Sequence, residues 1–356
     1  MKMTMRWYGK QEDKVQLEHI RQVPGVAGVV GTLMDVPAGE VWPIAKITAL
    51  KDEVEAAGLT LEVIESVNVH EDIKLGLPTR EAYIENYKET IRRLAAVGIK
   101  VICYNFMPVF DWMKTEMYYE LPDGSTTMAF FLEGVQKSAQ EVAREILANN
   151  QGTQLPGWEP ERLNDVTKLI EQYKDVSEDM LRENLKYFLE QIIPVCEEVG
   201  VKMGLHQDDP PYSIFGLPRI AKNRDDLDYI CNIVDSPCNG LTLCTGSIGE
   251  DPDNDVAAIV AEFTKRDRIF FAHVRNIKFI GESKDCYESA HLSSYGSQDM
   301  FKIMEALYDN DFDGYIRPDH GRMIWGETGR PGYGLYDRAL GAMYLQGIWE
   351  SLEKRR

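Results

Sequence analysis

The chain has 356 residues, of which 44% are hydrophobic, and its formal net charge is −19. This hydrophobic content is ordinary for a globular protein and argues against disorder, and the length suits a single large α/β domain. The acidic charge, with no long run of Lys or Arg, argues against nucleic acid or an anionic membrane as a partner.

The sequence also indicates where the protein resides. It has no run of the ~20 apolar residues that a membrane span needs, and its first residues lack the apolar core of a signal peptide. Six cysteines are scattered without a C-x-x-C pair, which is typical of reduced thiols. We therefore expect a cytoplasmic protein that does not bind membranes.

Short apolar runs alternate with longer amphipathic stretches along the chain. The short runs predict eight strands, at residues 5–8, 26–32, 59–66, 100–105, 201–206, 240–245, 269–275 and 314–319. The amphipathic stretches predict helices at residues 41–57, 80–97, 179–199, 224–234, 253–265, 298–308 and 335–353. Several strands follow a glycine where a helix C-cap is expected, namely Gly25, Gly58, Gly98 and Gly200. The pattern predicts parallel βα units and an α/β fold, a (β/α)8 TIM barrel that forms one domain over residues 1–356.

Two segments exceed a minimal barrel, and both follow predicted strands, on the C-terminal face where barrel active sites are built. The first, at about 107–178, contains a predicted hairpin: residues 115–121, a Pro-Asp-Gly turn at 122–124, and residues 125–131. The second spans 276–296. We expect both to act as lids or substrate walls, and an oligomer contact is the alternative for each.

Four consecutive predicted strands, the fifth to the eighth, carry a metal-ligating residue type at or next to their C-terminal ends. These residues are His206, Cys244, His273 and Asp319. In a closed barrel the strand ends share one rim, so we expect the four side chains to form a site for one divalent metal ion. Taken singly, each has a structural alternative: a hydrogen-bonded His, a buried Cys or a turn-capping Asp. The mixed donor set fits Zn²⁺, Fe²⁺, Co²⁺ and Mn²⁺, and the thiolate favours Zn²⁺ over Mn²⁺ by raw affinity.

Further polar residues lie near the same rim. His320 is the best acid–base residue by type, because imidazole titrates near neutrality, and Tyr333 is a second proton donor. Arg275, two residues after His273, is placed to bind a carboxylate bidentately. Structural alternatives stay open: a second-shell role for His320, packing for Tyr333 and a rim salt bridge for Arg275. Three more residues are predicted to contact substrate, with loop hydrogen bonding as the alternative for the first two: His70, Asn105 and Arg322.

Long strings in this chain resemble the mannonate dehydratase family from end to end. They include RWYG at 6–9, ESVNVHEDIK at 65–74, YNFMPVFDW at 104–112, GLHQDDPP at 204–211, LCTGSIG at 243–249, HVRN at 273–276 and RPDHGR at 317–322. The family's barrel is similar to those of xylose isomerase-like enzymes. One position departs from the family pattern, since Lys114 stands where the family has Arg, and Lys lacks the bidentate fork of Arg.

The resemblance implies a lyase that removes water from D-mannonate to give 2-keto-3-deoxy-D-gluconate in hexuronate catabolism. It implies Mn²⁺ or Fe²⁺ as cofactor, maps the family's ligands onto the same four strand-end residues, and places proton transfer on His320 and Tyr333. Two other functions stay open: a sugar isomerase or epimerase on the same barrel, and a non-catalytic sugar-acid binder with a structural metal. Related barrels often form dimers, so by analogy we expect a homodimer.

Overall fold

The computed structural model describes residues 1–136, 141 and 166–355, and eight parallel strands in this part of the chain close into a barrel. The barrel strands are β1 (Lys2–Arg6), β2 (Val26–Gly31), β3 (Thr60–Glu65), β4 (Val101–Tyr104), β7 (Lys202–His206), β8 (Asn239–Cys244), β9 (Ile269–His273) and β12 (Tyr315–Arg317). Around the barrel they run in the order β1-β12-β9-β8-β7-β4-β3-β2. The predicted fold class is confirmed.

Helices alternate with these strands and cover the barrel. The described helices are α1 (Leu17–Arg21), α2 (Ile44–Ala56), α3 (Glu71–Lys74), α4 (Arg80–Ala96), α5 (Val166–Gln172), α6 (Glu178–Val199), α7 (Arg224–Ile233), α8 (Thr245–Gly249), α9 (Val256–Lys265), α10 (Met300–Asp309) and α11 (Leu335–Glu353). All seven predicted helices are present. At the end of α6, Gly200 has φ 71°, and its amide donates to the carbonyl of Cys196. That left-handed C-cap stops the helix just before β7.

The first strand was predicted too far along the chain. The expected range was 5–8, whereas β1 spans Lys2–Arg6 and pairs with both β12 and β2. Met3 and Met5 alternate with polar residues and are buried, which is the period-two pattern of a strand. The predicted strand included the apolar Trp7 and Tyr8, but both residues lie beyond the end of β1.

The two predicted insertions meet in a second sheet above the barrel. The predicted hairpin is confirmed as β5 (Glu116–Glu120) and β6 (Thr126–Phe130), and the 276–296 segment supplies β10 (Asn276–Phe279) and β11 (Cys286–Ser289). This antiparallel sheet runs in the order β10-β11-β6-β5. The hairpin and the second insertion are joined where β11 pairs with β6, with Cys286 opposite Phe130. Residues 137–140 and 142–165 of the predicted lid lie outside the described residues.

Two of the three apolar clusters among the described residues join these layers. The large one lies between barrel and helices and includes Ile64, Ile102, Phe188 and Leu241. The smaller one, with Phe110, Met128 and Phe130, packs beneath the second sheet. Burial of apolar side chains is the main force that stabilises such layers. No helix in the described part of the chain is both long and apolar enough to cross a lipid bilayer.

Candidate active site

A pocket opens at the carboxyl ends of the barrel strands and is lined mainly by polar and charged side chains. Six residues singled out in the sequence line it: Asn105, His206, Arg275, Asp319, His320 and Tyr333. Further lining residues are Arg6, Tyr8, Glu65, Ser66, Asp111, Trp112, Asp209 and Arg317. Barrel closure therefore brings together side chains that are separated by more than 300 residues in sequence.

Three of the predicted metal ligands form one compact group. His206, Cys244 and His273 each offer a ligand atom, and these atoms all lie within 4.8 Å of one another. Each residue is the last of its strand, in β7, β8 and β9, and Cys244 lies beside His273 in the strand register. These three side chains therefore come together at the strand ends, as the sequence predicts.

Asp319, the predicted fourth ligand, lies beside this group rather than within it. Its Oδ2 is 3.5 Å from Cys244 Sγ, and its Oδ1 is 3.9 Å from His273 Nδ1. Arg317 Nη2 holds Oδ1 at 2.7 Å. The carboxylate thus faces the three-residue group while it is paired with a buried cation, which keeps the pKa of Asp319 well below its usual range despite burial.

The protonation states of the two histidines suit metal binding. His206 Nδ1 lies 2.8 Å from the carbonyl of Gln207, so Nδ1 carries the proton and Nε2 has a free lone pair. Burial lowers the pKa of His206, and it lowers that of His273 to about 4, so both rings are neutral at pH 7. Nε2 of His273 is buried and lies 3.4 Å from Glu65 Oε2. Burial raises the pKa of Cys244 to about 12.

These observations together test whether the residues fit a metal ion. Two neutral imidazoles and a thiol meet at one point, and a carboxylate stands beside them. Divalent ions of borderline hardness take this donor set. Such an ion would also stabilise the thiolate form of Cys244, which burial alone disfavours. The residues therefore fit a divalent metal.

His320 lies between a carboxylate and a phenol. Its Nδ1 is 2.7 Å from Glu288 Oε1, and its Nε2 is 2.7 Å from the hydroxyl of Tyr333. Nη1 of Arg275 also lies 2.7 Å from Nδ1. Nδ1 therefore has both an acceptor and a donor beside it, and the ring can keep a partner there in either tautomer. This arrangement suits a group that gains and loses a proton at Nε2.

Both terminal nitrogens of Arg275 donate to protein groups. Nη1 donates to Glu288 Oε1 at 2.7 Å and contacts His320. Nη2 donates to Asp209 Oδ2 at 2.7 Å and to Ser247 Oγ at 3.2 Å. Both ends of the guanidinium fork are thus occupied, which argues against the predicted bidentate contact with a substrate carboxylate. The geometry instead supports a positioning role, in which Arg275 fixes Glu288 and His320.

Lys114 is buried beside Asp209, which lines the pocket. Its Nζ donates to Asp209 Oδ1 at 2.6 Å and to Glu250 Oε1 at 2.8 Å. Burial would lower the pKa of Lys114, but the two carboxylates outweigh this effect and raise it. Burial, together with the charge of Asp209, raises the pKa of Glu250 to about 7. A single ammonium therefore pairs with one oxygen of each acid.

The structure does not bring two of the predicted substrate-binding residues to the pocket. His70 caps α3, where its Nδ1 accepts from the amide of Asp72, and its ring stacks on Tyr83 at 3.7 Å. Arg322 is held by Asp337, with Nη2 2.9 Å from Oδ1, and by Asp123 on the hairpin turn. Strand periodicity does not specify the direction of loop side chains, so the sequence could not place either residue. Asn105 does line the pocket.

Other residues of the site were not predicted from the sequence. Arg6 and Tyr8 were overlooked because the first strand was misplaced, although their spacing of two puts them on one face of an extended chain. Glu288 was missed because it lies in the second insertion, whose pairing with the hairpin has no local signal. Glu65 ends β3 and pairs with Arg317 at 2.9 Å. A search for every charged strand-end residue would have found Glu65.

The closed barrel defines the fold class of this chain, an α/β TIM barrel that carries a candidate metal site at its strand ends. Two solved structures share the fold at 12% identity: a xylose isomerase domain protein from Planctomyces limnophilus, with TM-score 0.53, and a D-allulose 3-epimerase from Methylomonas sp., with TM-score 0.54. They cover 99% and 100% of this chain, and it covers 98% of each of them. At that identity they show the fold alone.

The chain belongs to the D-mannonate dehydratase family, whose model matches residues 1–356. A mannonate dehydratase of Lactococcus lactis subsp. cremoris is 68% identical over 100% of both chains, and one of Thermotoga petrophila is 58% identical over 100% of this chain and 99% of its own. The crystal structure of mannonate dehydratase from Streptococcus suis serotype 2 superimposes with TM-score 0.88 at 48% identity, over 99% of this chain and 94% of that one. The resemblance seen in the sequence is confirmed. The family is one of hydro-lyases, and its role is the dehydration of D-mannonate in hexuronate catabolism.

The buried Lys114 cluster gives a testable prediction on stability. Replacing Lys114 with Met should lower the free energy of unfolding by about 3–5 kcal/mol, because Asp209 and Glu250 would lose the cation they share in a buried site. Urea unfolding measures the change. The matched control is Lys174→Met, which breaks an exposed pair with Glu171 and should cost no more than about 1 kcal/mol. Equal losses in the two variants would contradict this account of the cluster.

Proposed function

We propose that this chain dehydrates D-mannonate to 2-keto-3-deoxy-D-gluconate in the pocket described above. One observation carries the proposal: His206 of the candidate metal group, the neighbouring Asp319 and the His320–Tyr333 pair line the same pocket. An elimination needs an electrophile for the acid group and proton transfer at the neighbouring carbons. The pocket offers side chains for both.

His206, Cys244 and His273 would hold the ion, with Asp319 as a fourth ligand. When bound, a divalent metal supplies Lewis-acid stabilisation of negative charge on a substrate oxygen. Mn²⁺ is the ion we propose, with Fe²⁺ as the second choice, and Zn²⁺ or Co²⁺ can occupy the same donor set. The specific ion rests on family precedent, which opposes the preference of a thiolate for zinc.

The reaction removes the C2 proton and the C3 hydroxyl of the sugar acid. The electron pair of the C2–H bond forms the C2–C3 double bond, the C3–O bond breaks, and a proton joins the departing oxygen to form water. The enol at C2 then ketonises. Hydroxide is a poor leaving group, so an acid has to protonate it, and a base has to accept the C2 proton.

His320 and Tyr333 are the residues we propose for these two proton transfers. Both line the pocket, and their hydrogen bond of 2.7 Å lets a proton pass between them. Glu288 and Arg275 hold the opposite ring nitrogen, so the imidazole keeps its orientation while Nε2 changes protonation. Holding the acid–base pair at fixed spacing is what this part of the protein contributes to the rate.

An isomerase or epimerase is the main alternative reaction class. It would return the proton to carbon and release a product of unchanged mass, whereas a dehydratase product is lighter by one water. A non-catalytic sugar-acid binder would give no product. The cytoplasmic location and the homodimer stay predictions from the sequence, and a small sugar acid is the partner we propose.

The proposed reaction predicts metal-dependent turnover. Purified protein stripped of metal should form no 2-keto acid from D-mannonate, and Mn²⁺ or Fe²⁺ should restore formation of a product lighter by one water. Mass spectrometry and a 2-keto-acid assay measure both, with Zn²⁺ and Co²⁺ as comparison ions. Binding of D-mannonate with no product under any ion would overturn the proposal, and a product of unchanged mass would favour the isomerase class.

Replacing His320 tests the acid–base assignment. We expect His320→Ala to lower kcat by roughly 10²–10⁴, the usual contribution of one general acid or base. Tyr333→Phe should lose activity in the same range, because it removes the hydroxyl that His320 contacts. The control is His19→Ala, which changes an exposed histidine on α1. Near wild-type turnover in the His320 variant would rule out this role.

A further inference from the structure

Tyr8 has a buried hydroxyl that no group in the described part of the chain satisfies. The side chain lines the pocket and the residue is 2% exposed, yet its hydroxyl has no hydrogen-bond partner among the described residues. Buried polar groups in folded proteins nearly always have a partner, so an unpaired hydroxyl on the wall of a ligand pocket points to a bond that the ligand completes. The proton transfers proposed for His320 and Tyr333 do not involve the Tyr8 hydroxyl.

Two arginines hold the Tyr8 ring in place. The guanidinium carbons of Arg6 and Arg330 both lie 4.1 Å from the ring centroid. Arg6 is itself fixed by its Nη1, which donates to the carbonyls of Trp7 and Val30. Cations stacked on an aromatic face restrain the ring and leave its hydroxyl edge free. The phenol of Tyr8 is therefore a preorganised hydrogen-bonding group.

Tyr8 also stands next to the proton-transfer pair. Its ring meets that of Tyr333 edge to face, with centroids 5.0 Å apart. A sugar acid whose C2 and C3 lie at Tyr333 would thus extend its remaining carbons along the same wall. The hydroxyls at C4, C5 and C6 take no part in the elimination, and they need partners when the pocket excludes water.

We propose that Tyr8 is a specificity-determining residue whose hydroxyl binds one substrate hydroxyl beyond the reacting carbons. The inference rests on the proposed function, since it assumes that a polyhydroxy acid occupies the pocket. Arg6 and Arg330 act as positioning residues for this contact. The site would then select sugar acids by the chain beyond C3, in addition to the groups that react.

A double-mutant cycle between protein and substrate tests the proposal. The Tyr8→Phe variant of the metal-loaded enzyme is assayed with D-mannonate and with its 4-deoxy, 5-deoxy and 6-deoxy analogues. With D-mannonate, kcat/KM should fall by roughly tenfold, mainly through KM. With the wild-type enzyme, kcat/KM for one analogue should be lower than for D-mannonate by a similar factor. Replacing Tyr8 with Phe should not lower kcat/KM for that analogue any further. A merely structural role for the hydroxyl would lower kcat/KM for all four compounds alike.

Tyr104→Phe is the matched control. Tyr104 is fully buried in the apolar core, its hydroxyl also lacks a partner, and it does not line the pocket. Its kcat/KM should equal that of the wild type, and thermal melting checks that both variants fold. An equal loss with all four compounds, or no loss in Tyr8→Phe, overturns the inference. If the wild-type enzyme does not dehydrate D-mannonate, the proposed function itself has failed.

Discussion

The candidate site depends on the buried guanidinium of Arg275. It joins Asp209 after β7, Glu288 on β11 and His320 after β12, and it follows the metal-ligand candidate His273 by two residues. The backbone makes room for it, because a Cβ on Gly246 would lie 1.8 Å from Arg275 Nε. Removing a guanidinium from water costs several kcal/mol, and only well-placed acceptors offset that cost. Arg275 therefore holds Asp209, Glu288 and His320 together beside the candidate metal group.

Other buried cations near the pocket are also held between pairs of carboxylates. Arg317 lies between Glu65 and Asp319, just as Lys114 lies between Asp209 and Glu250. Each cation holds two carboxylates that would repel one another if it were absent. The chain as a whole carries a net charge of −19, so an anionic sugar acid has to be attracted locally. A divalent ion at His206 and its neighbours would supply that attraction.

The sequence predicted the barrel, which follows from hydrophobic periodicity, and the residue group that follows from the positions of the strand ends. Eight strands alternating with helices imply a barrel, and a closed barrel requires that His206, Cys244 and His273 meet. The sequence did not predict the positions of side chains that depend on loop conformation. Arg322 binds Asp337 instead of the pocket, and the short helix α3 turns His70 into a cap. Neither outcome follows from a hydrophobic pattern.

Long-range pairing set a second limit on prediction. Glu288 reaches His320 only because β11 pairs with β6, a strand that precedes it by more than 150 residues. Nothing in the local sequence of β11 specifies that partner. Tyr8 was missed for a simpler reason, since its apolar ring was assigned to a strand that in fact ends at Arg6. The chemistry-bearing residues outside the strand ends therefore required the three-dimensional structure.

The most direct test of the account is a crystal structure of the protein with Mn²⁺ and D-mannonate, with the ion located by anomalous scattering at the manganese edge. The account predicts one strong peak bound by His206, Cys244 and His273, with the sugar acid between it and the His320–Tyr333 pair. A peak elsewhere, or an ion enclosed by protein ligands with the acid outside the pocket, would contradict it.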